Sequence, residues 1–193
     1  MADHTINALS AAARSLDEVI FDAVDAGHPL AREQTRLVSK YLKLLQSRLE
    51  YAYDRNRFEL SHYTDLAGDL LADAGTLSPA IATALGSAAE EGRRLRDLPG
   101  ARAPDLQAAA QRLAAIITAL IRTAADTDPV LRGRVEATVL LSSKSLLDAQ
   151  RAWFLPQGWE PDPTVVPPIA GAFALAKRPA DPARARRLMP PRR

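Results

Sequence analysis

Apolar residues in this chain recur every three or four positions, and prolines mark where each run ends. Ile6, Leu9, Leu16, Val19 and Ile20 fall at helical spacing within residues 5–24. Further runs cover about 30–74, 79–97, 104–125 and 129–154. Pro29, Pro79, Pro99, Pro104 and Pro129 lie at the junctions. Proline suits the first turn of a helix, where its missing N–H would have had no partner. Ser78 before Pro79 and Asp128 before Pro129 have the form of an N-cap followed by proline at the first helical position. No stretch shows the period-two alternation of a strand. The pattern predicts an all-α bundle of about five helices, with residues 1–155 as its body.

The run at about 30–74 is the most informative. At 100° per residue, Val38, Leu42, Leu45, Leu49, Ala52, Tyr53, Leu60, Tyr63, Ala67, Leu70, Leu71 and Ala74 fall within an arc of roughly 100°. A single unbroken phase predicts one helix, on the order of 67 Å long, around which the others pack. A second line, Leu37, Leu44, Tyr51 and Phe58, is spaced by seven on the opposite face. Two opposed apolar faces imply packing on both sides, and a seven-residue seam suits a second copy of the chain. The expectation is a homodimer formed through those four residues.

The other runs differ in quality. Residues 104–125 carry only Arg112 and Arg122 between their ends, and are expected to be deeply buried. Gly86 and Gly92 each cost their helix about 1 kcal/mol relative to alanine. If the bundle opens onto a lipid or polymer surface, 79–97 is the segment expected to open first.

After residue 155 the composition changes, for nine of the 14 prolines lie from Pro156 onward. Residues 156–176 are predicted to form an extended strap. Its Trp159, Val165, Val166, Ile169, Phe173 and Leu175 call for burial on the body or on a neighbouring subunit. Residues 177–193 set Lys177, Arg178, Arg184, Arg186, Arg187, Arg192 and Arg193 against a single acid, Asp181, a net charge of +6. Residues 1–176 carry −4, so the isoelectric point near 9.1 belongs to the tail. The tail is expected to be flexible and to bind a partner.

Several chemistries are excluded at this stage. Without cysteine there is no disulfide framework, thiolate zinc site or cysteine nucleophile. The closest glycines, Gly86 and Gly92, are too far apart for a dinucleotide fingerprint, a phosphate loop or a nucleophile elbow. The longest uncharged apolar stretch, residues 113–121, is too short to cross a bilayer, and the first residues do not read as a signal peptide. A soluble, cytoplasmic protein without a membrane span is expected.

Three histidines remain: His4, His28 and His62. His28, between Gly27 and Pro29, reads as a helix-entry residue. Glu59 and His62 form one Glu-x-x-His element, the spacing that lets two side chains on one helix face share a metal. The second such element and the further glutamates of a di-iron bundle are missing, so His62 reads as exposed or as the edge of the seam. Ser142, Ser143 and Ser145 cluster in the last run, and Ser61 is adjacent to His62. Neither arrangement makes a nucleophile. No cofactor is implied, and nothing supports an enzyme.

The functional expectation is a non-catalytic helical interaction or scaffold protein that pairs with itself and with another protein. A nucleic-acid accessory bound through the basic tail is an alternative. Against it, the tail lacks interleaved aromatics for base stacking and the body is acidic. A ligand- or metal-binding bundle is a third reading. In size and in its alanine-rich, cysteine-free amphipathic make-up, the chain is also similar to the phasin class of granule-coating helical proteins. No motif carries that likeness. It implies helices that open onto a lipid or polymer surface.

Overall fold

The computed structural model describes residues 4–173, which hold helices and turns and no strand. Helix α1 (His4–Ser15) runs on through a π turn (Leu16–Ile20) into a last short turn (Phe21–Ala23). Then come α2 (Pro29–Arg48), α3 (Ala52–Leu77), α4 (Pro79–Asp97), α5 (Ala103–Ala125) and α6 (Pro129–Phe154). Tight 3₁₀ turns at Leu155–Gln157 and Pro163–Val165 lead to a final short helix, α7 (Ile169–Ala172). The caps expected from sequence are in place. The Ser78 hydroxyl accepts from the Ile81 N–H at 3.4 Å, and the Asp128 carboxylate accepts from the N–H groups of Val130 and Leu131 at 3.1 Å.

The core lies where α3, α4 and α5 pack together, with α6 laid along α3. Leu60, Leu70, Leu85, Leu106, Leu113, Leu120 and Val135 are fully buried in it. Of the described helices, α5 alone has the length and hydropathy of a membrane span. Leu106, Leu113, Ile117 and Leu120 of that helix are buried in the core.

The long helix predicted at 30–74 is two helices. A 3₁₀ turn, Leu49–Tyr51, separates α2 from α3, and Arg48 (φ −115°, ψ −10°) departs from α geometry at the joint. The first apolar stripe divides just past this joint, between Tyr53 and Leu60 of α3. Leu60, Ala67, Leu70 and Ala74 are buried, whereas Val38, Leu45, Leu49 and Tyr53 are exposed. The reason is length: α4 and α5 flank α3 and do not pack along α2. Helix α2 has α1 as its companion, and the two form an antiparallel arm projecting from the bundle.

The second seam is also corrected. Phe58 is buried against Ala149 of α6 and Phe173, and Tyr51 packs on the same cluster. Leu44 is buried at the base of the arm, and of the four residues only Leu37 is exposed. The chain itself therefore covers three quarters of the predicted interface.

Gly92 is not a weak point. A Cβ there would lie 2.8 Å from the Thr64 hydroxyl oxygen and 3.3 Å from methyl carbons of Leu60 and Leu113. At this position α4 lies close against α3 and α5. Gly86 is different, since its Cβ would meet only a Leu71 methyl at 3.7 Å.

The strap is anchored in part. Val166 and Phe173 are buried, and the Arg151 guanidinium donates two bonds to Glu160 at 2.7 and 2.9 Å. Trp159 is 75% exposed, however, stacked on Phe154 with ring centroids 6.4 Å apart. Leu175 and the basic residues of 177–193 lie outside the described residues.

Candidate functional site

Two places concentrate features that folding alone does not require. The first is the outer face of the arm. The α1–α2 contact is made of small or half-buried groups, with Ala13 and Ser39 fully covered and Leu9, Leu16 and Leu42 partly so. Lys43 to Asp17 at 2.6 Å and Gln46 to Ser10 at 2.7 Å tie the two helices along one edge. Lys43, and more weakly Ser39, hold the Asp17 carboxyl below its usual pKa. Near the tip the guanidinium carbons of Arg32 and Arg36 sit 4.1 and 4.4 Å from the centre of the Phe21 ring. Arg32 also donates to the Val24 carbonyl.

On the side of α2 turned away from α1, and at Leu49 just past its end, apolar residues accumulate around the exposed Gln34 with only partial cover. Leu30, Leu37, Val38, Tyr41, Leu45 and Leu49 are all exposed, Leu30 by 72% and Tyr41 by 57%. By helical geometry they span an arc of about 120° opposite Ser39 and Gln46. Val19 and Ile20, apolar residues at helical spacing, are exposed as well. The π turn that contains them inserts a residue into the ladder and shifts the register, bringing Phe21 and Val24 inward.

The base of the arm is fixed by Arg48, which sequence reading passed over. It is 8% exposed, and its guanidinium donates to the carbonyls of Trp153 at 2.8 Å and Ala152 at 3.2 Å. Those carbonyls lie in the last turn of α6, where backbone acceptors lack helical partners and the helix dipole is negative. Burial lowers the Arg48 pKa from its ordinary value, but arginine starts so high that the group stays charged. Nothing in the sequence marks Arg48, because its partners are backbone atoms more than 100 residues away.

The second place is a groove of about 210 Å³ between α3 and α6, lined by Phe58, Ser61, His62, Asp65, Leu141, Ser142 and Ser145. His62, read from sequence as exposed or at the edge of the seam, is only 9% exposed. It lies one turn from Phe58, at the seam edge, with α6 closing over it. Burial pulls its pKa below the usual histidine value, opposed in part by the carboxylates of Asp65 and Glu59. Helix packing also brings Ser142 and Ser145 into this groove, a meeting that spacing along the chain could not reveal. The Ser145 hydroxyl donates back to the Ser142 carbonyl at 3.2 Å.

The metal candidates are not brought together usefully. Glu59 accepts from Arg55 at 2.9 Å, and that arginine lies over the Trp153 ring. Among the described residues, no group of three or more potential ligands is placed to hold an ion. The arm offers an apolar surface, and the groove gathers His62, Asp65 and the serines Ser61, Ser142 and Ser145.

No protein-family model, no curated protein and no solved structure matches the chain.

Proposed function

We propose that this protein is a non-catalytic helical interaction module, in which the α3–α6 bundle is the foundation and the α1–α2 arm is the docking element. The observation that carries the reading is the uncovered stripe on α2. Two helices cannot bury more than one face of each other, and an apolar face left over calls for a further layer. Monomeric proteins rarely leave contiguous apolar patches beyond a few hundred Å², and larger ones mark interaction sites. The stripe belongs to an element outside the main core, so occupying it requires no disruption of that core.

The test uses a photo-cross-linking phenylalanine analogue placed at Tyr41 in the full-length protein within its host cells. An aromatic replacement at an exposed position leaves the fold intact. Adducts are expected from position 41 and not from Ser87, an exposed position on α4. Equal yields at the two positions, or none at Tyr41, would refute the docking arm.

A further inference from the structure

We infer that the occupant of the α2 stripe is the α2 stripe of a second copy, running antiparallel. The inference rests on the docking-arm reading and adds to it a partner and a register.

Area comes first. The exposed fractions of Leu30, Leu37, Val38, Tyr41, Leu45 and Leu49 correspond to roughly 600 Å² of apolar-rich surface per copy. A standard interface takes about 800 Å² from each partner, aromatic and apolar at its centre and polar at its rim. The six side chains supply most of that area, with their polar flanks as the rim.

Charge selects the orientation. Glu33 and Lys40 lie on the same flank of the stripe, two turns apart, too distant to pair with each other along one helix. Among the described residues neither takes part in an ion pair. A two-fold axis perpendicular to the helices brings like flanks together and reverses their direction. With that axis near Leu37, the leucine faces its own copy and Leu30 comes beside Leu45 of the other. Glu33 then lies beside Lys40 of the other copy, and the symmetry makes that pair twice. A parallel arrangement would set this flank against the opposite one, which carries no charge to receive it.

Shape agrees. Helix α2 has 20 residues, and Leu37 is close to its middle. In the antiparallel arrangement the two bundles sit at opposite ends of the paired arms. At its base the same face is already covered by its own chain, at Leu44 and Arg48. The second copy would continue that cover outward.

Sedimentation of the full-length protein, supplemented by circular dichroism, tests this. Wild type is expected at twice the 20.9 kDa chain mass at about 50 µM. Leu37→Asp with Tyr41→Asp should be monomeric with unchanged helicity, because neither side chain is in the core. Glu33→Lys and Lys40→Glu should each weaken the dimer about tenfold by replacing two attractions with two repulsions. The double exchange should restore wild-type association. A wild type that stays monomeric overturns the second copy. So does a dimer indifferent to both charge reversals, or a double exchange that adds the two losses. Cross-linking at Tyr41 separates the two levels. An adduct of twice the chain mass supports the dimer, an adduct of another mass overturns it while the docking arm stands, and no adduct removes both.

Discussion

Replacing Gly92 and Gly86 by alanine should move stability in opposite directions, although both glycines interrupt the same helix. Helix propensity alone favours alanine at either position by about 1 kcal/mol. At Gly86 the added methyl has room, with a Leu71 methyl at 3.7 Å, so Gly86→Ala should stabilise by about 0.5–1 kcal/mol. At Gly92 the methyl would sit 2.8 Å from the Thr64 hydroxyl oxygen, inside van der Waals contact. Overpacking of this kind costs about 1–3 kcal/mol, which offsets the propensity gain and leaves a net loss of roughly 0–2 kcal/mol. Thr64 is itself 1% exposed, and its hydroxyl has no hydrogen-bond partner. Removing it by Thr64→Ala eliminates the closest contact and an uncompensated polar group. The next nearest groups at position 92 are two leucine methyl carbons at 3.3 Å, the ends of side chains that can move. Gly92→Ala should therefore cost less in the Thr64→Ala background, by a coupling of about 1–2 kcal/mol. Urea unfolding of the four proteins in the cycle, followed by helical ellipticity, measures this. Thermal midpoints should move by about 2–4 °C per kcal/mol for a domain of this size. The close-approach reading fails if Gly92→Ala stabilises as much as Gly86→Ala. It fails equally if the cost at position 92 is the same with and without the Thr64 side chain.

Other outcomes follow from the same structure. Phe173→Ala removes a ring with edge contacts at 5.9 Å to both Phe58 and Trp153, and should cost about 3 kcal/mol in urea unfolding. Arg48→Ala should leave the bundle folded but raise amide hydrogen exchange across α1 and α2, since two α6 carbonyls lose their donor. Exchange confined to its wild-type rate would show that Arg48 does not hold the arm. His62 has a folded pKa below its unfolded value, so the unfolded chain takes up a proton first as the solution is acidified. Its contribution is complete above the ordinary histidine pKa of about 6.5 and is lost as pH falls from there toward the lowered folded value. His62→Gln should flatten that part of the stability profile, and NMR titration of the imidazole should place its midpoint below 6.5.

Element existence was legible from sequence because local rules decided it. The Ser78-Pro79 and Asp128-Pro129 caps start α4 and α6 where expected, and apolar periodicity gave the extent of α5 within a residue or two. Burial was less legible, because periodicity shows that a face is apolar without showing what lies against it. Val38 and Leu60 share one stripe, yet only Leu60 has α4 and α5 beside it. The joint at Leu49–Tyr51 escaped for a related reason: a short 3₁₀ turn interrupts the hydrogen-bond ladder without breaking the apolar pattern. Gly92 was misjudged because propensity treats glycine as a defect, while packing can require the missing Cβ. His62 and Ser142 meet only because α6 returns along α3, and Arg48 bonds to carbonyls that carry no residue-type signal. The candidate surface was half visible. Leu37 was singled out, but as part of a seam whose other members were needed at home.

That seam also explains why the arm's apolar surface lies where it does. Leu37, Leu44, Tyr51 and Phe58 make one line, and its cover thins from one end to the other. At Phe58 and Tyr51 the line meets α6 and Phe173. At Leu44 it reaches the base of the arm, beside the Leu155–Gln157 turn that packs on α2. At Leu37 the described chain leaves the residue 47% exposed. The turn at Leu155–Gln157 marks the limit, because there the chain leaves α6 and heads back toward Phe58 and not outward along the arm. Ending α6 at Phe154 leaves a face with the composition of a core and no intramolecular layer to fill it, which is the physical condition under which a second polypeptide becomes the missing layer.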